Sequence, residues 1–591
     1  MTLRATDGGM THFAAARPTR RFRSAGLVQP LICGIAAAPL AIVFVLLAII
    51  VWISIAAGTS STILGPFTLR YYELLLTDPL IVAAILNTAG FCAVAVIVAL
   101  AIGVTLAWFV ECTSLPGKRA AYSVMTMTLL LPTFFQAMGW LFLLHPRIGM
   151  LNAWISQTLG LPAATISIAN VIGMGWVEGI GLAPLAFVMT GPMLRAMNPA
   201  LEEAARVHGS GPWTTLRRIV LPLMLPSILA TAIYIAVIGT ATFEVPAIIG
   251  LGSKILTFST YVYINVSPEM GVPSYGAVGA LSMPVIVLSV LLSWIYFRVI
   301  RRADRYAIVE GRAYRRQLIE LGRLRWLGWI LFGCYFAIAI LLPLAMMLWA
   351  AFLPYFQPFS ANAWRQISTA NFHSLPFELL LKGVSNSILL MIAVPAAVLV
   401  LSFAISWVIV RSKMPGRFVF DWLAFLPHAI PSVVFAVATV LLALFILPRS
   451  LPLYGTIGII FMVYVLVRIS FTTRVLNGAL LQIHKELEEA AYVNGLPMFA
   501  TFRTVVLPLL RPAIVSVCLW NALLTFRELT AAAFLVTQDN ITLPVVVWGI
   551  WQAGSLSKAA AAAVVFFVLF LPVMVLYWWI GARFIDRRQT G

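Results

Sequence analysis

Charge is scarce in this chain. Only 10% of the 591 residues are Asp, Glu, Lys or Arg, and 62% are hydrophobic, whereas soluble globular proteins carry about 25% charged and 45–50% apolar residues. This scarcity excludes a soluble enzyme of several domains, a disordered chain and a collagen-like fibre. The five cysteines include no Cys-x-x-Cys pair, so the sequence indicates neither a disulfide framework nor a zinc site.

Motifs for catalysis and nucleotide binding are also missing. The sequence contains no GxxxxGK[ST] string, so ATP cannot be bound by a P-loop. The six histidines are scattered without the spacing of metal ligands, and no stretch between the hydrophobic runs is long enough for a soluble domain. We therefore expect no catalytic residue, no metal and no cofactor bound by this chain.

Long hydrophobic runs fill most of the sequence. About 20 apolar residues are needed to cross the hydrocarbon core of a bilayer, and twelve runs meet this length, which predicts an all-α polytopic membrane protein. The first run is too long for the hydrophobic part of a cleaved signal peptide. The predicted spans cover about residues 31–55, 80–110, 121–143, 168–190, 222–248, 276–298, 327–352, 384–410, 419–447, 455–473, 512–536 and 559–582.

The distribution of basic residues predicts the orientation. The formal net charge is +19, a surplus that would suggest nucleic acid in a soluble protein. Here, 30 of the 39 Lys and Arg residues fall in one set of alternate loops and tails. Because cytoplasmic loops of membrane proteins are enriched in Lys and Arg, both termini are expected in the cytoplasm. The basic stretch 301–326 then becomes a cytoplasmic linker that also contacts anionic lipid, and no nucleic-acid partner is expected.

One motif occurs twice. It consists of Glu-Ala-Ala, three residues, Gly, nine residues, a β-branched residue, one residue and Leu-Pro, and the two copies lie 286 residues apart. Three further landmarks recur 299 residues apart: Asn87 with Asn386, Pro132 with Pro431, and 115–118 with 414–417. The chain is therefore a tandem duplication. Six spans separate the copies, so both loops face the same side and the two six-helix repeats are parallel. The motif residues are Glu203, Ala204, Ala205 and Gly209 in the first copy and Glu489, Ala490, Ala491 and Gly495 in the second.

The motif predicts a rigid protrusion on each half. Acidic residues suit the positive end of a helix, the two alanines let another protein approach closely, and a glycine can end the helix in the left-handed conformation. A second helix then leads through Leu-Pro into a span. Such a protrusion is joined directly to a membrane helix, as force transfer from a cytoplasmic partner requires. An amphipathic interfacial helix is the alternative, but it does not explain the fixed spacing.

These residues resemble the signature loop of permease subunits of bacterial ABC importers. The resemblance covers nearly the whole chain and implies two fused permease domains, 31–300 with the first Glu-Ala-Ala loop (198–222) and 327–585 with the second (484–508), flanked by cytoplasmic tails 1–30 and 586–591. It implies a multi-pass protein of the bacterial cytoplasmic membrane. It also implies two copies of a cytoplasmic ABC ATPase, which would hold ATP and magnesium, docked at the two loops, and a periplasmic substrate-binding protein.

The strings Phe243–Pro246, Arg305–Ile308 and Arg527–Leu529 resemble the iron(III) importer group, so iron(III) is the expected substrate. Related permeases for thiamine, polyamines, phosphonates and sulfate share this plan and remain alternatives. A secondary transporter with two six-helix repeats is a further alternative, which the loops disfavour because an ion-coupled carrier needs no ATPase-docking site.

Ionisable residues inside spans are costly and by default mark a pathway. The hypothesis is that these charges line the translocation pathway, and the alternative is that they pair with one another and hold the bundle together. Arg468, which also falls within a span, and Arg527 count against a simple cation funnel and keep an anionic substrate open as an alternative. The candidates are Glu178, Glu244, Arg527 and Glu528.

Overall fold

The computed structural model describes residues 25–57, 65–160, 166–197, 204–205, 207–267, 273–303, 318–320, 322, 325–448 and 450–589. Within these residues regular structure is helical, apart from isolated β-bridges that join Ala56 to Phe67 and Thr113 to Ile319. The first Glu-Ala-Ala loop is described only in part, because 198–203 and 206 lie outside these ranges. Most of the predicted linker and most of the predicted N-terminal tail also lie outside them, as do the last two residues of the predicted C-terminal tail.

The first half contains eleven described helices. Their bounds are α1 Ala25–Ile55, α2 Arg70–Thr77, α3 Pro79–Cys112, α4 Lys118–Leu130, α5 Thr133–Leu144, α6 Met150–Leu159, α7 Val171–Ala196, α8 Trp213–Ala241, α9 Pro246–Ser253, α10 Phe258–Val266 and α11 Tyr275–Ala303.

The second half repeats the long helices in the same order. Its described helices are α12 Arg325–Ala351, α13 Ala361–Arg365, α14 Ala370–His373, α15 Phe377–Val410, α16 Arg417–Ala429, α17 Ser432–Ile446, α18 Ile457–Leu481, α19 Lys485–Val493, α20 Phe499–Phe526, α21 Thr530–Leu535, α22 Leu543–Gln552 and α23 Leu556–Gln589.

The polytopic helical fold is confirmed. Ten described helices are long and apolar enough to cross a membrane, and counting each of three bent helix pairs as a span gives up to thirteen. Two bent pairs coincide with predicted spans three and nine. There α4 meets α5 at 90°, and α16 meets α17 at 100°. The breaks fall at Pro132 and Pro431, residues that were matched as repeat landmarks, because proline lacks the N–H that would continue the helix.

Two predicted spans extend too far. Straight helices were expected over 222–248 and 512–536, but α8 ends at Ala241 and α20 ends at Phe526. Charged residues follow within three positions, Glu244 in the first half and Arg527 and Glu528 in the second. The chain then forms short helices, α9 and α10 in the first half and α21 and α22 in the second. Hydropathy alone extended these spans because the short helices are as apolar as the long ones.

Matching hydrogen bonds hold α10 and α22 in the two halves. The side-chain amide of Asn87 donates to the Leu256 carbonyl, and that of Asn386 donates to the Ile541 carbonyl, both at 2.9 Å. The next residues also correspond, since the hydroxyls of Thr88 and Ser387 accept from the first backbone N–H of α10 and α22. The sequence duplication is therefore a structural one.

The two halves pack intimately. Helix α1 contacts α15 and α17, and α12 contacts α5, so the first helix of each half packs against the other half. Gly139 of α5 lies so close to Pro343 of α12 that an added Cβ would come within 2.5 Å of its Cα. Within the first half, Gly175 and Gly179 let α7 pack closely on α3, since an added Cβ on either would lie 2.6 Å from a valine of α3.

Four aromatic rings pack between the two halves. They lie near the ends of α8 and α20 that are remote from the Glu-Ala-Ala loops. Phe243 and Tyr263 come from the first half, and Phe534 and Trp548 come from the second. In five of the six pairs that these rings form, the centroids lie between 5.2 and 6.3 Å apart. We refer to these four residues as the aromatic cluster.

Candidate functional site

The second Glu-Ala-Ala loop forms the predicted helix and turn. Helix α19 carries Glu489, Ala490 and Ala491, and Gly495 ends it with φ of +77°. The backbone N–H of Leu496 donates to the Ala491 carbonyl at 3.1 Å, which is the bond that closes a left-handed helix terminus. A π-helical turn at 502–506 then leads into the long part of α20.

The first loop shows the same ending in the part that is described. Glu203 lies outside the described residues, whereas Ala204 and Ala205 are helical. Gly209 has φ of +78°, and the N–H of Ser210 donates to the Ala205 carbonyl at 2.9 Å. An added Cβ on Gly209 or Gly495 would meet nothing within 4 Å. Both positions therefore need glycine for its backbone conformation and not for space.

Both loops present apolar side chains to the surroundings at equivalent positions. Val207 is 85% exposed and Val493 is 88% exposed, and six residues further on Trp213 is 73% exposed and Phe499 75%. Each member of a pair lies 286 residues from the other. Glu489, Ala490 and Gly495 are exposed beside them, whereas Ala205 and Ala491 are buried. Exposed apolar residues repeated in this way mark an interaction surface.

A buried ion pair fixes the second loop to the membrane helices. Arg411, just after α15, donates through Nε to the Glu488 carboxylate at 2.8 Å and through a terminal nitrogen to the carbonyls of Leu480 and Ile483. Both charged side chains are buried. Partial burial and the Glu488 carboxylate raise the pKa of Tyr492. Sequence analysis missed Glu488, although the adjacent pair of glutamates occurs in both copies of the motif.

The candidate pathway residues lie together where the halves meet. We call this region, with Glu178, Glu244, Arg468, Arg527 and Glu528, the charged seam. Arg527 interacts electrostatically with each of the other four charges. The four candidate residues thus belong to one group of interacting charges, and their role in transport stays a prediction.

Glu244 and Arg527 act on the two ends of the break between α4 and α5. Glu244 accepts hydrogen bonds from the Thr133 hydroxyl and, at 3.0 Å, from the Phe134 backbone N–H. Arg527 comes from the other half and donates to the carbonyls of Leu129 and Leu131 at 3.0 and 2.8 Å. An anion thus meets the positive end of α5, and a cation meets the negative end of α4.

The remaining charges are arranged differently. Arg468 donates to the Glu528 carboxylate at 3.3 Å, as the structural alternative expected for this glutamate. Glu178 accepts from the hydroxyl of Thr242 at 3.0 Å. Sequence analysis missed Thr133 and Thr242 because hydroxyl residues within apolar helices are common and carry no spacing signal.

Comparison with known proteins identifies the family. The sequence profile described as "binding-protein-dependent transport system inner membrane component" matches residues 103–305 and 399–586. The chain belongs to this family. The match occurs once in each half and includes both Glu-Ala-Ala loops and all five charges of the seam, so the chain is a fused two-domain ABC permease of the inner membrane. This assignment rules out the alternative of a secondary transporter.

Several relatives of this permease are ferric transport proteins by name. The ferric transport system permease protein FbpB of Actinobacillus pleuropneumoniae is 22% identical over 71% of this chain and 60% of that protein. The putative ferric transport system permease protein FbpB 1 of Haemophilus influenzae is 24% identical over 79% of this chain and 72% of that protein. A probable sulfate transport system permease of Anthoceros angustus is 26% identical over 26% of this chain and 51% of that protein.

Proposed function

We propose that this permease forms the translocation pathway of an ATP-driven iron(III) importer. Its two Glu-Ala-Ala loops dock two copies of a cytoplasmic ABC ATPase, and a periplasmic binding protein delivers the substrate to the opposite side. ATP hydrolysis takes place in the ATPase, with ATP and magnesium bound there. Closure of the ATPase dimer moves the two loops, and the halves of the permease rock between inward and outward openings.

The paired loop surfaces carry this proposal. The same exposed apolar positions, Val207 with Val493 and Trp213 with Phe499, recur beside a left-handed glycine in both halves. A dimeric partner with two identical clefts would recognise two such surfaces. In the second loop, the buried pair of Arg411 and Glu488 joins the docking helix to α15, which supports transfer of force from the loop to the membrane helices.

The choice of iron(III) rests on the relatives. Proteins named for ferric transport align with more than two thirds of this chain. The sulfate permease aligns with about a quarter of it. Thiamine, polyamine, phosphonate and sulfate transport remain the alternatives for the same machinery.

Replacing both loop glycines tests the docking proposal. A valine at Gly209 and Gly495 would be forced to φ near +78°, at a cost of about 1–3 kcal/mol in each loop. We expect the G209V/G495V variant to reach the membrane, to lose the ATPase on co-purification and to lose most ATP-dependent uptake of ⁵⁵Fe(III). The matched control is Gly478→Val, because Gly478 lies in α18 with open space around it and no positive φ. Normal uptake and co-purification in the double variant would refute the docking proposal.

A further inference from the structure

Two buried oxygen atoms, one in the charged seam and one outside it, have no hydrogen-bond partner among the described residues. They are Oε2 of Glu178 and Oε1 of Gln136, on side chains that are 2% and 1% exposed. The orientation of the Gln136 amide is fixed, because its nitrogen donates to the Ala339 carbonyl at 3.1 Å. The unpartnered atom is therefore an acceptor, and buried acceptors of this kind are unfavourable unless a donor or a cation meets them.

Gln136 Oε1 lies against α7, the helix that carries Glu178. Gly181 lies one turn beyond Glu178 on α7, and a Cβ added to Gly181 would lie 2.8 Å from Gln136 Oε1. The same Cβ would lie 3.4 Å from Thr133, whose hydroxyl donates to Glu244. Because Gly181 has no side chain, Gln136 Oε1 can lie close to α7, the helix that carries Glu178.

The group has carboxylate, amide and hydroxyl oxygens from three elements. Thr242 connects Glu178 to Glu244, because its hydroxyl donates to the Glu178 carboxylate and it lies two residues before Glu244 in the chain. We call Thr133, Gln136, Glu178, Thr242 and Glu244 the oxygen cluster. It lies between α5, α7 and the segment that follows α8.

The charges of the seam leave this cluster negative. The seam has three carboxylates and two guanidinium groups. Arg468 pairs with Glu528, and Arg527 donates to two backbone carbonyls and supplies the remaining positive charge. One carboxylate charge is in excess, and Glu178, whose described partner is one hydroxyl, is the least compensated. A buried carboxylate in this situation is stable only when a cation or a proton neutralises it.

The cluster belongs to the first half alone. Tyr464 occupies the position equivalent to Glu178, 286 residues on, and Phe435 occupies the position equivalent to Gln136, 299 residues on. The second half thus replaces both unpartnered acceptors with aromatic rings. The second half therefore has no unpartnered acceptor at either position, since the Tyr464 hydroxyl donates to the Glu528 carbonyl, and this difference points to a function for the two acceptors in the first half.

We propose that the oxygen cluster binds a hard, oxygen-preferring metal cation as a transit station for the transported ion. Glu178, Glu244 and Gln136 supply the ligands, and hard cations favour such carboxylate and amide oxygens. The inference rests on the proposed transport function and specifies its substrate class as a cation, despite the two arginines of the seam. Metal binding is measured on the permease alone, without the ATPase. An absence of metal binding can therefore be distinguished from a failure of ATPase docking.

Terbium(III) is a suitable probe, since it is trivalent, prefers oxygen and luminesces when a nearby tryptophan transfers energy to it. Trp140 lies one turn from Gln136 on α5. We expect the purified full chain in nanodiscs to bind Tb³⁺ at a saturable site. Glu178→Gln and Gln136→Leu should each weaken binding by about tenfold or more. Trp140→Phe should remove most of the sensitised luminescence and leave the bound metal, measured by mass spectrometry, unchanged.

Glu111→Gln is the control, because this carboxylate is also buried in the first half but lies outside the seam and pairs with Arg195; it should bind Tb³⁺ like the unaltered chain. Two results would overturn the proposal. Absence of saturable binding to the unaltered chain would mean that a proton neutralises Glu178. Equal affinity of the Glu178→Gln and unaltered chains would place the bound metal elsewhere.

Discussion

At the scale of single residues, the charged seam combines electrostatic and structural roles. A helix that breaks inside a membrane leaves backbone groups without partners, and no water is available there to satisfy them. Arg527 satisfies two carbonyls at the end of α4, and Glu244 satisfies an N–H at the start of α5. The sequence showed that these charges are unusual, but their partners lie more than 100 positions away and could not be inferred from it.

Removal of the Arg527 side chain should destabilise the permease. In Arg527→Leu the carbonyls of Leu129 and Leu131 lose their donor, and we expect the free energy of unfolding to fall by about 1–3 kcal/mol. The thermal unfolding midpoint of the purified protein would report this loss. Arg365→Leu is the control, because Arg365 is exposed on the short helix α13. Equal midpoints for the two variants would show that the contact between Arg527 and α4 contributes nothing.

At the scale of elements, hydropathy predicted which segments are helices but not their directions. The spans at 121–143 and 419–447 were recognised, yet each is two helices at about a right angle. Hydropathy depends on composition, whereas the bend depends on a proline and on the partners of the exposed backbone. The repeat landmarks held more information, since Pro132 and Pro431 mark the bends and Asn87 and Asn386 hold α10 and α22.

The two asparagines should act locally and independently. Asn87→Leu removes the donor to the Leu256 carbonyl, so backbone hydrogen exchange should speed up around the start of α10. Asn386→Leu should have the same effect around the start of α22 and leave α10 unchanged. Exchange measured by mass spectrometry on each variant, with the other as its control, checks this. Faster exchange at both sites in either single variant would contradict the independence of the two bonds.

At the scale of the whole molecule, the aromatic cluster joins the halves at the ends of α8 and α20 that lie away from the loops. Tyr263 and Trp548 are equivalent residues of α10 and α22 and meet with centroids 6.3 Å apart. Because equivalent residues contact each other, the rings lie close to the pseudo-twofold axis that relates the two repeats. Sequence analysis missed the cluster, because α9, α10, α21 and α22 were not recognised as separate helices and aromatic residues are abundant in this chain.

The cluster should keep the permease closed to small ions. Without the rings of Tyr263 and Trp548, the Y263A/W548A variant should raise potassium efflux from proteoliposomes several-fold in the absence of ATP. Phe403→Ala provides the control, since Phe403 packs on Phe502 within the second half and not between the halves. Equal efflux from the double variant and the control would mean that the closure lies elsewhere.

The two halves contribute different charges to the seam, and this difference bears on why the two repeats share one polypeptide. The first half contributes Glu178 and Glu244, and the second contributes both arginines. Two copies of the first half would bring four carboxylates together without a guanidinium group, and the carbonyls at the end of α4 would have no donor from the opposite half. Covalent fusion fixes the ratio of the halves at one to one. After duplication, each repeat was therefore free to specialise, because it never had to assemble with itself.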